Sequence, residues 1–204
     1  MKNKTIYVLR HAQTDYNKNG MVQGRGVNAS LNETGILQAS LVYEALKDIP
    51  FDVVFTSTLK RTHQTVTRFI ENDLKHVSLE GLDEISWGDR EGVKTNSQER
   101  EHYAAIMDGW RSGDLNLQVG GGETPTEVMK RQQAAFKQII KFPGDKILVC
   151  THGRAMRILF SWLLNYPLNY MDGFPHQNCV YYKLMYRGND FFIDEFNQTK
   201  HLNR

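Results

Sequence analysis

Three short segments of this 204-residue chain are rich in β-branched residues and almost continuously apolar, and helical patterns follow each of them. They are Thr5–Leu9, Phe51–Phe55 and Lys146–Cys150. Segments of this kind are typical of strands covered on both faces, as in parallel sheets. Because strand and helix alternate, we predict an α/β fold, a three-layer α/β/α sandwich with a mostly parallel central sheet.

Turn and capping signals add a helix and a hairpin to this pattern. Thr124-Pro125-Thr126-Glu127 combines an N-cap, a proline at the first helical position and a capping-box glutamate, which predicts a helix to about Phe142. Near the end, Cys179–Met185 and Phe191–Phe196 are strand-like and flank Arg187-Gly188-Asn189. We therefore expect an antiparallel edge on the sheet.

The pattern loosens between about residues 85 and 123. This stretch holds a polar, helix-like segment, Ser97–Ser112, and a glycine run, Gly120–Gly122. No repeat, low-complexity tract or long linker divides the chain. We expect a single domain over residues 1–204, in which 85–123 forms a helical excursion over the site.

Composition argues against several classes of partner. The net charge is +2 and the basic residues are scattered, so we expect neither nucleic acid nor a membrane surface as a partner. The apolar run Thr5–Leu9 is too short for a signal peptide, and no run could span a bilayer. Cys150 and Cys179 lie in strand-like contexts, which favours reduced, buried thiols in a cytoplasmic protein.

Polar residues follow the predicted strands at the edge where ligands bind in open α/β sheets. Arg10-His11, Thr56-Ser57 and Thr151-His152 all fall there. One imidazole can attack phosphorus, a second can donate to a phosphoryl oxygen, and guanidinium groups match phosphate geometry. Each residue alone has an ordinary structural explanation, but together they predict phosphate chemistry.

Two further residues extend this edge. Arg61 is placed in the first turn of the next helix, where it could hold an anion against the helix N-terminus. Gly153, directly after His152, lets backbone approach a ligand.

The segment Leu9-Arg10-His11-Ala12-Gln13-Thr14, with Asn17, resembles the signature of the histidine phosphatase superfamily, which has the phosphoglycerate mutase-like fold. Further segments occur in family order: Ser57–Thr62 with Gln64-Thr65, Leu82-Asp83-Glu84 with Gly88 and Glu91-Gly92, Gly121–Glu123, and Thr151–Gly153. The resemblance covers about Tyr7 to His152.

The resemblance implies a role for each matching residue. His11 is the nucleophile that forms a phosphohistidine, and Glu84 is the proton donor. Arg10, Arg61 and His152 bind the phosphoryl oxygens.

Asn17 and Gln23 match positions that line the phosphate pocket in similar proteins. Arg25 lies close by but is a weaker candidate, which we interpret as solvated. The chain departs from the commonest signature at Ala12 and Gln13, where the family usually has glycine and glutamate. Neither position carries the phosphoryl group, so the changes bear on rate more than on mechanism.

The segment after Glu84, which runs to Gly92, resembles the phosphatase branch, and the compact length agrees. We therefore expect hydrolysis of a small phosphate ester without a cofactor. The alternative is a mutase-type phosphoryl transfer, and a non-catalytic phosphate-binding or regulatory module is the alternative from another class. Four excursion residues form either an apolar wall for the substrate alcohol or ordinary packing: Trp87, Tyr103, Met107 and Trp110.

Two other mechanisms fit the sequence poorly. A cysteine phosphatase needs five residues between its cysteine and arginine, but six separate Cys150 from Arg157 and three separate it from Arg154. A metal hydrolase needs paired ligands, which the remaining histidines lack: His63, His76, His102, His176 and His201. Among these, only His176 precedes a predicted strand in a loop that could reach the pocket.

Overall fold

The computed structural model describes residues 3–94 and 96–203. Within these residues the strands are β1 (Lys4–Arg10), β2 (Val53–Thr56), β3 (His76–Ser78), β4 (Lys146–Thr151), β5 (Tyr181–Arg187) and β6 (Asp190–Gln198). The α-helices are α1 (Asp15–Lys18), α2 (Glu33–Leu46), α3 (Lys60–Glu71), α4 (Ser97–Ser112), α5 (Pro125–Lys141) and α6 (Gly153–Leu163). Short 3₁₀ helices span Glu80–Leu82, Gly88–Arg90, Leu168–Gly173 and Lys200–Leu202.

All six strands form one sheet, in the order β3-β2-β4-β1-β5-β6. The first four strands are parallel, whereas β5 and β6 pair antiparallel with their neighbours. The predicted parallel sheet with an antiparallel edge is therefore confirmed. β3 was not predicted, because its three residues are only partly covered and show no apolar run.

Helices cover both faces of the sheet, as the alternation along β1 shows. Ile6 and Val8 pack in a core cluster with residues of α5 and α6. Tyr7 and Leu9 point to the opposite face and pack with residues of α2 and α3. Successive residues of a strand face opposite sides, so this strand contributes to both cores and the three layers follow.

Capping interactions fix where two helices begin. The Thr124 hydroxyl accepts a hydrogen bond from the Glu127 N–H at 3.2 Å, and the Glu127 carboxylate accepts one from the Thr124 N–H at 2.8 Å. This reciprocal pair is the predicted capping box, and it starts α5. At α2, Asn32 accepts from the Gly35 N–H at 2.9 Å.

The excursion packs as a third apolar cluster beside the sheet. Residues of α4 bury their apolar side chains against Ile85 and Val119, and against Ile158 on α6. The glycine run closes the excursion: Gly88 and Gly120 both have positive φ, and a Cβ on Gly88 would overlap the Gly120 carbonyl oxygen. Glycine is needed at this close backbone approach.

Candidate active site

Three adjacent parallel strands, β1, β4 and β2, end at the same edge of the sheet. The residues that directly follow these ends are His11, His152 and Ser57. The imidazole rings of His11 and His152 have centroids 5.1 Å apart. The sheet therefore brings together residues that are more than 140 positions apart in the sequence.

His11 is buried, with 2% of its surface exposed. Its Nδ1 lies 2.7 Å from the carbonyl oxygen of Ala12, which can only accept, so Nδ1 carries the hydrogen. Burial, followed by the charges of Arg61 and Arg10, lowers the pKa of His11 well below its ordinary value. The ring is thus neutral at physiological pH and has its lone pair on Nε2, as a nucleophile requires.

His152 has the opposite tautomer. Its Nδ1 accepts a hydrogen bond from Arg61 Nε at 3.1 Å, and an arginine can only donate. Burial and then the charge of Arg61 lower the pKa of His152 well below its ordinary value. The neutral ring therefore carries its hydrogen on Nε2, which lies 2.8 Å from Ser57 Oγ. One imidazole offers a lone pair and the other a donor.

Arg61 is fully buried in the first turn of α3. Besides His152, it donates to the carbonyl oxygens of Val27 at 2.6 Å and Gly24 at 3.2 Å. These contacts use three of the five N–H donors of a guanidinium, so two remain for an anion. Burial lowers the pKa of Arg61 to about 10, which leaves it positively charged at neutral pH.

Arg10 keeps a buried donor unused. Its Nε has no acceptor within the described part of the chain, while a terminal nitrogen donates to the His176 carbonyl oxygen. A Cβ on Gly153 would lie 3.3 Å from Arg10 Nε, so the glycine keeps the space beside this donor open. Burial, followed by the charge of Arg10, lowers the pKa of His176 to about 3. His176 therefore positions Arg10 through its backbone and stays neutral.

Asn17 and Gln23 belong to a hydrogen-bonded network beside His11. Gln23 Oε1 accepts from the Thr14 hydroxyl at 2.9 Å, and the buried Gln23 amide nitrogen has no acceptor among the described residues. Asn178 donates to the His11 carbonyl oxygen at 2.9 Å and to Asn17 Oδ1 at 3.2 Å. Sequence reasoning missed Ser57, Thr14 and Asn178 as site residues, although it placed Ser57 at this edge.

Glu84 is seated at the N-terminus of α6. Its Oε1 accepts from the N–H groups of Ile85 at 2.9 Å and Ala155 at 2.8 Å, and its Oε2 accepts from the Arg154 N–H at 3.1 Å. Since α6 begins directly after His152, this seating joins the Glu84 loop to the histidine edge. Oε2, with one contact, is the more available oxygen.

Arg131 on α5 holds the Glu84 loop from behind. It donates to the carbonyl oxygens of Gly81, Asp83 and Glu84 at 3.1, 2.8 and 2.9 Å. It also forms a two-pronged ion pair with Glu123, at 2.8 and 3.0 Å. A guanidinium fork suits such converging acceptors. No local sequence signal indicates the contacts with the Glu84 loop, because its carbonyl oxygens belong to residues about fifty positions away from Arg131.

The predicted apolar wall divides into two pairs. Met107 and Trp110 are buried, at 3% and 1% exposure, in the third apolar cluster, so packing is their role. Trp87 is also buried in this cluster, at 6% exposure, but together with Tyr103 it lines an opening beside the segment 20–23. Arg25, which we interpreted as solvated, is 35% exposed and forms ion pairs of 3.4 and 3.7 Å with two neighbouring carboxylates.

Cysteine chemistry has no support at this edge. Cys150 is fully buried in β4, and burial raises the pKa of its thiol well above the ordinary value, which disfavours the thiolate. Within residues 3–94 and 96–203, no cluster of three metal-ligating side chains occurs. The same residues contain no helix of the length and apolarity needed to cross a membrane.

Known proteins resemble this chain in sequence and in fold. The probable phosphoglycerate mutase GpmB of Yersinia pestis (strain Pestoides F) is 28% identical over 206 residues, covering 97% of this chain and 94% of that protein. The structure of a mycobacterial glucosyl-3-phosphoglycerate phosphatase superposes with a TM-score of 0.83 at 23% identity, covering 97% of this chain and 100% of that one.

A phosphoserine phosphatase from Entamoeba histolytica, solved with 3-phosphoglyceric acid, also has a TM-score of 0.83 at 23% identity, covering 98% and 99% of the two chains. At this level of identity both structures show a common fold. The family model described as histidine phosphatase superfamily (branch 1) matches residues 6–199. The chain therefore belongs to the histidine phosphatase superfamily.

Proposed function

We propose that the protein is a metal-independent phosphomonoester hydrolase that forms a phosphohistidine on His11. The observation that carries this proposal is the pair of buried, neutral imidazoles in opposite tautomers, with centroids 5.1 Å apart. Such a pair supplies a nucleophile and a hydrogen-bond donor to one phosphoryl group. Arg10 and Arg61 add the positive charge that phosphoryl transfer requires.

In the first step, His11 Nε2 attacks phosphorus and the P–O bond to the alcohol breaks. The leaving alkoxide takes a proton from Glu84, and Oε2 is the oxygen we assign to this transfer because it makes one hydrogen bond. The two unused N–H donors of Arg61 stabilise the equatorial oxygens, and the Nε2 hydrogen of His152 joins them by exchanging Ser57 Oγ for a phosphoryl oxygen.

In the second step, a water molecule attacks the phosphohistidine. The Glu84 carboxylate accepts a proton from this water, the P–N bond to His11 breaks, and inorganic phosphate leaves. The residue that acted as acid thus acts as base and regains its starting state. Asn17, Gln23 and the backbone at Gly153 complete the phosphate pocket in this proposal.

The first experiment is phosphate release from a panel of phosphomonoesters in the presence of EDTA. We expect release by the native protein and a loss of at least ~10⁴-fold in kcat for His11→Ala, because no other group supplies the nucleophile. His102→Ala, at an exposed histidine of α4, is the matched control and should keep full activity. An acid-labile, phosphorylated His11 in quenched reactions would identify the intermediate.

Two alternatives make different predictions in that assay. A mutase would return the phosphoryl group to a second hydroxyl and release little phosphate, which is the activity named for the Yersinia relative. A non-catalytic module would bind phosphate without turnover. The phosphatase-like segment after Glu84, and structural neighbours whose names are phosphatases, support hydrolysis over both.

A further inference from the structure

A small cavity opens beside the phosphate network. It has a volume of about 200 Å³ and is lined by Gly20, Met21, Val22, Gln23, Trp87 and Tyr103. We call these six residues the alcohol pocket. None of them carries a charge, and four present apolar or aromatic side chains.

The pocket is tied to the proposed catalytic groups on three sides. Gln23 accepts from Thr14 in the His11 loop at 2.9 Å. Trp87 lies three residues after Glu84 on the same loop. Tyr103 accepts a hydrogen bond from the Arg154 side chain at 3.2 Å, and the Arg154 backbone N–H binds Glu84. The pocket therefore borders both the His11 loop and the Glu84 loop.

The cation behind this pocket is not free to pair with a substrate. Arg154 is 7% exposed and is not among the lining residues, and its two terminal nitrogens already donate to Asp172 at 2.6 Å and to the Tyr103 hydroxyl at 3.2 Å. Arg111 and Arg157 share the same Asp172 carboxylate. A carboxylate or second phosphate on the substrate would thus have to enter an uncharged pocket, which costs desolvation energy without a compensating pair.

The pocket does offer two uncharged donors. The buried Gln23 amide nitrogen has no acceptor, and the Tyr103 hydroxyl accepts from Arg154 but donates to no described residue. The rings of Trp87 and Tyr103 meet at 60° with centroids 5.5 Å apart and form the wall between these donors.

We propose that this pocket binds the alcohol part of the substrate and selects an uncharged, ring-sized apolar group. The inference rests on the proposed function, because it assigns the pocket to the leaving alcohol. An apolar cavity of about 150 Å³ accommodates benzene, so the volume of about 200 Å³ fits one ring or a branched group of similar size.

Titration calorimetry with three phosphonates tests this selection without relying on turnover. Benzylphosphonate, methylphosphonate and 3-phosphonopropionate share the phosphoryl mimic and differ in the attached group. We expect benzylphosphonate to bind at least ~10-fold more tightly than methylphosphonate, as burial of a ring predicts. The carboxylated ligand should bind no more tightly than methylphosphonate. Equal affinities for benzyl- and methylphosphonate, or tightest binding of the carboxylate, would overturn the proposal.

Variants then locate the selectivity. Tyr103→Ala should reduce the advantage of benzylphosphonate to less than ~3-fold and leave methylphosphonate binding unchanged. The matched control is Tyr170→Ala, at a 64% exposed tyrosine outside the pocket, which should change neither ligand. Met21→Lys, which leaves the ring wall in place, should weaken benzylphosphonate and strengthen 3-phosphonopropionate. An unchanged ratio in both pocket variants would contradict the assignment.

Hydrolysis of p-nitrophenyl phosphate separates the two proposals. If hydrolysis fails while benzylphosphonate keeps its advantage, the proposed function is wrong, whereas the selection of an apolar ring by the pocket stands. If hydrolysis occurs while the advantage is absent, the hydrolase stands and the pocket assignment is wrong.

Discussion

The half of the site that would hold the phosphoryl group is built differently from the half that would hold the alcohol. His11, His152 and Arg61 are at most 2% exposed and stand at the ends of buried strands or in the first turn of a helix. Tyr103 and the segment 20–23 come from the excursion and a loop, and are mostly half-buried or exposed. In the proposed site, the rigid sheet therefore positions the charged groups and the imidazole hydrogens. Substrate selectivity depends on the excursion and a loop, which tolerate sequence change more easily.

The largest effect should come from the phosphoryl half. We expect Arg61→Lys to lower kcat/KM by ~10²- to 10³-fold, because an ammonium cannot bind His152 and two carbonyl oxygens in a fork while also serving the phosphate. The loss should be similar for p-nitrophenyl and alkyl phosphates. Arg68→Lys, at an exposed arginine of the same helix, is the control. A loss confined to one class of ester would contradict the assignment of Arg61 to the phosphoryl half.

The next effect should depend on the alcohol. Glu84→Gln removes the proposed proton donor and should lower kcat by ~10²-fold for alkyl phosphates, whose leaving groups need a proton. For p-nitrophenyl phosphate, whose leaving group is stable as an anion, we expect less than ~10-fold in the first step. Single-turnover kinetics on both esters measure this ratio, with the exposed Glu71→Gln as control. Equal losses would show that Glu84 is not the acid.

A smaller effect of the same kind should follow from Arg131. It touches the backbone around Glu84 and pairs with Glu123, so Arg131→Lys should displace the Glu84 carboxyl without removing it. We expect a loss of ~10-fold for alkyl phosphates and little change for p-nitrophenyl phosphate. Arg187→Lys, at an exposed arginine, is the control. An equal loss of activity for both esters would indicate that Arg131 contributes to stability alone and does not position Glu84.

The smallest effect is on stability, and the part of it that comes from the phosphoryl half sharpens the comparison. The pKa values of His11, His152 and His176 are lowered in the folded protein, the last to about 3, mainly by burial. Burial also lowers the pKa values of His76 and His201, which lie outside this half. Below about pH 6.5 the unfolded chain therefore binds more protons, so stability falls as pH falls and is unaffected above about pH 7.5.

Urea unfolding at pH 7 and pH 5.5 measures this dependence. His176→Gln should reduce the loss of unfolding free energy between these two pH values by roughly 1 kcal/mol. Below about pH 3, where the folded histidine itself titrates, His176 should add no further loss. A variant with the unchanged native slope would show that His176 does not contribute.

The sequence predicted the elements with strong local signals and missed those that depend on distant partners. The capping box at Thr124 and the helix Ser97–Ser112 could both be predicted from the spacing of residues along the sequence. β3 was not, because three residues carry too little periodicity. Strand ends placed His11 and His152 together, but their tautomers depend on neighbours that only the folded chain supplies.

The limits are clearest around Glu84. A sequence contains no local signal that Arg131 reaches three carbonyl oxygens of that loop, or that the carboxyl sits on the first turn of α6. Similarly, Trp110 and Tyr103 have the same apolar appearance in sequence, yet one is core and the other lines the opening. The orientation of α4 determines which of these two side chains lines the opening and which packs in the core.

The two histidines also differ in how mutation can reach them. The hydrogen of His11 is fixed by a backbone carbonyl, which every residue type at position 12 provides, so the departure to Ala12 leaves it intact. The hydrogen of His152 is fixed by the side chain of Arg61, which a single substitution removes. A single mutation can therefore change which nitrogen of His152 carries the hydrogen, whereas the tautomer of His11 does not depend on a side chain at position 12.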